Sequence, residues 1–280
     1  MNVSQLVSRR SVAVIAGLVG MVSLAIGAHA ALNKRALDAA KAIGTEQAAD
    51  AATRQSRLAL VIGNGHYPDA AAPLNQPIND ARALTSTLRQ SGFDVDVVED
   101  ASKDDMQRAI GRLKSKIKPE SVVMLFFGGY GIQAGRESYM IPVDARIWKE
   151  SDVRREGVSV ESVLDAVKEK GARAKLVVID ASRRNPYERR FRSYSHGLAP
   201  IAATDNALIL TAATPGKVAD DSRSSNSVLV SALLDNLNAQ GAGGIEGVFN
   251  KTRVTISRAS DGAQVPSVSS SLLDEIRIGG

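Results

Sequence analysis

The 280-residue chain contains no cysteine, which removes disulfides, thiolate metal sites and thiol catalysis at the outset. Its fold must be stabilised by its core alone. Histidine is nearly as scarce: only His29, His66 and His196 occur, so imidazole proton transfer has few places to happen. With a single Trp and 4% aromatic residues, no aromatic-interleaved basic stripe and no helix-turn-helix pattern accompany the net charge of +5, so no nucleic-acid partner is expected. The Gly63-Asn64-Gly65 turn lacks the third glycine of a dinucleotide fingerprint and the lysine of a P-loop. It reads as a turn with His66 as a loop histidine. No cofactor is implied.

What is present is ordinary globular material, 44% hydrophobic and 23% charged, of a length that suits one large α/β domain. The N-terminus reads Arg9-Arg10, an apolar run from Val12 to Ile26, then Ala28-His29-Ala30, the charged, apolar and small-residue parts of a secretory signal. Residues 1–30 are therefore expected to be a leader cleaved after Ala30, and the chain to be exported, to the periplasm. Ser8 to Val12 resembles a twin-arginine signal only in the arginine pair. The alternative is an N-terminal membrane anchor, for which the run is short of the ~20 apolar residues a span needs. No stable span is expected after processing. Residues 31–56 are alanine-rich with few large apolar side chains and read as a linker. Residues 57–280 form the folded domain.

Within that domain apolar strands alternate with helical patterns. Arg57 to Ile62 is a buried strand, and Ala83, Leu84, Thr87 and Leu88 recur at helical spacing after Asn79-Asp80 and stop at Ser91-Gly92. Phe93 to Val98 is a strand, and Met106, Ile110 and Leu113 mark a helix ending before Pro119. Further strands are expected at Val122 to Phe127, Ser138 to Pro142, Leu176 to Ile179 and Ala207 to Leu210, with helices at Val158 to Val167, Val228 to Leu237 and Ile245 to Arg258. Such alternation predicts a parallel sheet. Asp144, Glu150 and Asp152 form an acidic cluster of the kind that can gather a divalent cation, although such loops are more often solvated, and no metal is expected. The basic run from Arg183 to Arg192 reads as an exposed, trypsin-sensitive loop.

Two strand ends draw the chemistry together. Leu176 to Ile179 runs into Asp180-Ala181-Ser182, and Val122 to Phe127 runs into Gly128-Gly129-Tyr130-Gly131. Parallel sheets bind ligands at such ends, and the three glycines would let backbone approach a bound group closely. Without further context Ser182 reads equally as a turn serine and Tyr130 as a half-buried aromatic.

This pair of strands resembles the core of the caspase-like cysteine peptidases (peptidase C14), particularly the p20 domain of bacterial metacaspases. In that family the first strand ends in Ser-Gly-His-Gly and the second in Asp-Ala-Cys, supplying the histidine and the nucleophile. The Tyr130 to Ser182 separation agrees with the roughly 50 residues between caspase histidine and cysteine. The resemblance extends to Arg57 to Asn64 with Tyr67, Leu74 to Ala81, Tyr139 to Asp144, Arg183 to Pro186, Gly197 to Ala199, Gly216 to Asp220, Ile245 to Phe249, Gln264 to Pro266 and Ser270 to Leu272. It implies an α/β, caspase-like sandwich: a mostly parallel six-stranded sheet with helices on both faces.

The resemblance also implies a proteolysis site, but Tyr130 and Ser182 stand where the catalytic dyad belongs. Free tyrosine titrates near 10 against about 6.5 for histidine, so its base form is scarcer by roughly 4 kcal/mol at neutral pH. Gly131 and Ser182 match the oxyanion donors, and Asp80 and Asp180 match acids lining the basic-residue pocket. Gly128 stands where the family often has serine. The implied protein is a pseudoenzyme that binds an Arg- or Lys-bearing peptide or protein without cutting it; an active paralogue is one such partner. The alternatives are a weak serine-type hydrolase using Ser182 with Tyr130 or His196, and a purely structural interaction module.

Overall fold

A computed structural model describes residues 56–68, 73–187, 197–219, 224–239 and 244–278. The leader expected at residues 1–30 and all but the last residue of the linker lie outside the described residues. Nine strands are described: β1 Arg57–Gly63, β2 Asp94–Glu99, β3 Val122–Gly128, β4 Gly131–Ala134, β5 Glu137–Met140, β6 Val158–Ser159, β7 Ala174–Asp180, β8 Ala207–Thr211 and β9 Ser267–Ser270. The helices are α1 Gln76–Gln90, α2 Lys103–Lys116, α3 Glu150–Glu156, α4 Val160–Glu169, α5 Val228–Asn238 and α6 Ile245–Ala259.

Six strands form one sheet in the order β2-β1-β3-β7-β8-β9, parallel except for β9, which runs antiparallel along β8. The period-2 geometry of a strand decides which side chain meets which helix. Val61, Phe126, Val178 and Leu210 point to the face covered by α1, α5 and α6. Leu60, Phe127, Val177 and Ile209 point to the face covered by α2 and α4. Both faces are dry, which is why these strands read as unbroken apolar runs rather than as alternating ones. The implied α/β sandwich is thus the observed one.

Local chemistry sets the helix starts. Ser102 caps α2 in a reciprocal capping box with Asp105, while Ser159 and Ser227 cap α4 and α5 by accepting the N–H groups of Ser162 and Val230. Helix α1 begins before the apolar pattern that signals it, because Pro77 suits a first turn, and Asn79 and Asp80 therefore lie inside the helix instead of preceding it.

A second, antiparallel sheet joins β5, expected as a strand at Ser138 to Pro142, to β4 and to β6, which takes the first two residues of the helix expected at Val158 to Val167; β4, β6 and α3 were not foreseen, and the unit packs around Ile132, Tyr139, Ile141, Ile147, Val153 and Tyr187. β4 and β6 have four and two residues, too few for periodicity to register. The small sheet begins at Gly131, directly after Tyr130. Among the described residues no helix is long and apolar enough to cross a membrane.

Candidate active site

Register fixes the site's floor. β3 lies between β1 and β7, with Gly128 opposite both Gly63 and Asp180, so the turns after these three strands emerge side by side. Asn64 joins them to the neighbouring loops: its amide nitrogen donates to the carbonyls of Ala101 and Ile141 at 3.3 and 3.2 Å, and its oxygen accepts the Ala101 N–H at 2.8 Å. The structure brings Tyr130, Ser182, Asp80 and Asp180 to this edge.

Tyr130 is half-buried against Tyr67, ring centroids 4.8 Å apart at 63°. Tyr67 is buried, and its hydroxyl accepts the Tyr130 N–H at 3.1 Å while donating to the Ile141 carbonyl at 2.9 Å. Burial pushes this phenol well above the ordinary tyrosine range, so it stays protonated and keeps both roles.

Gly129 and Gly131 of the turn stand close against the chain itself. A Cβ on Gly129, at φ +155°, would stand 2.5 Å from the Tyr67 hydroxyl, and one on Gly131 would stand 2.6 Å from Leu198 Cδ2 and 2.9 Å from Ala181 Cβ. The Gly131 N–H matched an oxyanion donor but already donates to the Ala181 carbonyl at 2.9 Å, and Gly129 N–H donates to the Asp180 carbonyl at 3.2 Å. An oxyanion role for Gly131 would require that seam between the two turns to open.

Ser182 follows Ala181 directly, at 1% exposure, and its hydroxyl has no hydrogen-bond partner among the described residues. Its carbonyl accepts the Ala219 N–H at 2.7 Å. A nucleophilic serine needs a base within hydrogen-bond reach, and none contacts this Oγ among the described residues. His196 lies outside the described residues. His66 sits on the β1 side of the edge, where its Nδ1 is 2.6 Å from Asp100 Oδ2 and its N–H, with that of Gly65, donates to Oδ1. It is a loop histidine oriented by a carboxylate.

Asp80 and Asp180 are buried. Asp80 Oδ1 accepts from Asn226 Nδ2 at 2.8 Å and from the Ser227 N–H at 3.0 Å, fastening the start of α5 onto α1. The Oδ2 atoms of Asp80 and of Asp180 are both buried and have no hydrogen-bond partner among the described residues. Burial raises the Asp80 pKa to about 6, and the neighbouring Asp180 charge adds to the rise; the bonds from Asn226 and Ser227 and the charge of Arg183 oppose it.

Arg183 was expected in an exposed loop, yet only 5% of its side chain is exposed. Its Nη1 donates to the Gly129 carbonyl at 2.9 Å and to the Asp180 carbonyl, and stands 3.7 Å from Asp180 Oδ1. Asn185 and Tyr187 are also buried, with the Tyr187 N–H donating to Asn185 Oδ1 at 2.9 Å. The basic run misled because its first arginine has acids and carbonyls to meet inside; the three-residue spacing from Asp180 was the available clue. The rest of that run, from residue 188, lies outside the described residues.

The acidic cluster at 144–152 is divided among structural tasks. Asp144 accepts the Lys103 N–H, and Asp152 accepts the N–H groups of Trp148 and Lys149 at the start of α3. Among the described residues no three metal-binding side chains gather.

Comparison with known proteins agrees with this architecture. The chain is 29% identical over 145 residues to human mucosa-associated lymphoid tissue lymphoma translocation protein 1, covering 51% of this chain and 17% of that protein. It is 29% identical over 136 residues to the mouse homolog, covering 48% of this chain and 16% of the mouse protein. The chain thus matches about a sixth of the length of these relatives. Residues 56–277, nearly all of the folded part, match the caspase domain (Peptidase_C14), and the chain belongs to that family.

Proposed function

We propose that this caspase-domain protein is a pseudo-peptidase that holds the basic side chain of a peptide or protein partner against Asp80 and Asp180 without cutting the chain. The observation that supports it is the pair of buried carboxylate oxygens, Asp80 Oδ2 and Asp180 Oδ2, that lack a hydrogen-bond partner among the described residues. A buried carboxylate oxygen left unpaired is costly, and a guanidinium or ammonium group supplies donors and charge together. Loss of cutting follows from the absent thiol and from the lack of an imidazole at position 130: Tyr130 and Ser182 are poor replacements, and among the described residues no base contacts Ser182 Oγ. Export of the chain to the periplasm with removal of residues 1–30, leaving a 31–56 linker and the 57–280 domain, places such binding outside the cytoplasm. Affinity to bacterial metacaspases in particular, and an active paralogue as partner, belong to the same proposal.

Incubating the protein with peptide pools that fix Arg, Lys or Ala at one position, with retained and cleaved species read by mass spectrometry, tests it. Retention of intact Arg or Lys peptides supports the proposal. Cleaved products that vanish with Ser182→Ala would favour the serine-type hydrolase, and no retention at all would favour a structural module.

A further inference from the structure

The acidic pocket already contains a guanidinium, and it belongs to the chain. Arg183 follows Ser182 directly, its side chain is buried, and its Nη1 reaches two backbone carbonyls and the Asp180 carboxylate. Its charge also acts on Asp80, where it opposes the rise in pKa. Among the described residues this one guanidinium acts on both buried carboxylates, and each acid retains an oxygen without a hydrogen-bond partner there. That is incomplete compensation: the pocket is occupied, but its acids are not saturated.

We propose that Arg183 is the resident occupant of this pocket, an internal guanidinium seated where the basic side chain of a bound peptide would go, so that the protein takes its partner by displacing its own arginine. The inference rests on reading Asp80 and Asp180 as a ligand pocket. The backbone around Arg183 is held on both sides. Before it, Ala181 O and Ser182 O accept the N–H groups of Gly131 and Ala219; after it, Asn185 and Tyr187 form a buried turn. Displacement is therefore a rotation of the long Arg183 side chain about its own bonds, with the backbone in place. Such a device weakens apparent affinity by the fraction of time the pocket stands empty, and it favours ligands that also reach Asp80 Oδ2. Removing the internal competitor removes that handicap.

The test uses the full chain with Arg183→Ala, and with Arg183→Met to keep volume without charge. Methylguanidinium chloride is the probe, with tetramethylammonium chloride at equal ionic strength as control. The inference predicts saturable heat and a rising melting temperature when methylguanidinium meets either variant, little of either in wild type, and loss of both on adding Asp180→Asn. An Arg peptide should bind the variants tenfold or more tighter than wild type. In wild type, nitrogen-15 NMR should show protected Arg183 guanidinium protons that exchange with solvent once the Arg peptide is bound, a readout that needs no variant to fold. Equal peptide affinity in wild type and variants, or Arg183 protons that stay protected with peptide bound, overturns the inference and leaves peptide binding intact. Methylguanidinium binding without any affinity for Arg peptides upholds the self-occupied pocket and overturns the peptide-binding function.

Discussion

The hydroxyl of Tyr67 accepts the backbone N–H of Tyr130 at 3.1 Å, so Tyr130 is held in place by a second tyrosine. The turn is built to stay in place. Tyr67→Phe removes both bonds of that hydroxyl and leaves the Ile141 carbonyl with the Asn64 amide as its remaining donor, and should cost about 1 to 3 kcal/mol. Gly129→Ala should be more damaging in wild type than in Tyr67→Phe, because the hydroxyl that its Cβ would strike is then gone. A denaturant-unfolding cycle over the four proteins checks this, and purely additive losses would contradict it.

Asp80 makes a prediction with a definite sign. Its unfolded carboxyl loses its proton near the ordinary value of 3.8, whereas the folded one keeps it to about 6. Between those values the native state binds more protons, so this group's contribution falls as pH rises through the window and stays low above it. Asp80→Asn retains an oxygen for the Ser227 N–H. It should be more stable than wild type at pH 7.5, by up to about 3 kcal/mol, with the advantage gone near pH 4. Thermal melts of both proteins across that range decide it. A less stable variant at pH 7.5 would show that Arg183 fully compensates the charge.

Restoring the family's residues should not restore activity by itself. Ser182→Cys with Tyr130→His returns nucleophile and base, but the Gly131 N–H remains tied to Ala181 and position 182 remains buried. We expect no turnover of Arg or Lys substrates by wild type or either single variant, and little by the double variant, in a fluorogenic assay. Wild-type turnover abolished by Ser182→Ala would contradict this.

Export is checked by the mass of the native protein. The expected N-terminus is Ala31, from the Arg9-Arg10 pair, the apolar run and Ala28-His29-Ala30. A full-length species in the membrane fraction would instead support the anchor.

The sheet was legible because strands buried on both faces leave long apolar runs, as in Val122 to Phe127 and Leu176 to Ile179, and because the capped helices between them keep a regular spacing. The resemblance singled out Asp80, Tyr130, Asp180 and Ser182, and register sets the ends of β3 and β7, next to Tyr130 and Ser182, side by side. What escaped depends on distant partners. β4, β6 and β9 are too short to show a period, and nothing local says that Asn226 and Ser227 will meet Asp80 across 146 and 147 residues. Arg183 looked like surface because charge runs usually are; its burial follows from carbonyls and a carboxylate that only the folded turns supply.

The central claim, a pocket that selects a basic side chain without cutting, is tested most directly by titration calorimetry of matched Arg and Ala peptides against wild type and Asp180→Asn. Wild type should prefer the Arg peptide. Loss of one charge-assisted contact costs about 1.5 to 3 kcal/mol, so that preference should shrink tenfold or more in Asp180→Asn. Equal affinity of well-folded wild type for the two peptides would contradict it and leave Asp80, Asp180 and Arg183 as purely structural residues.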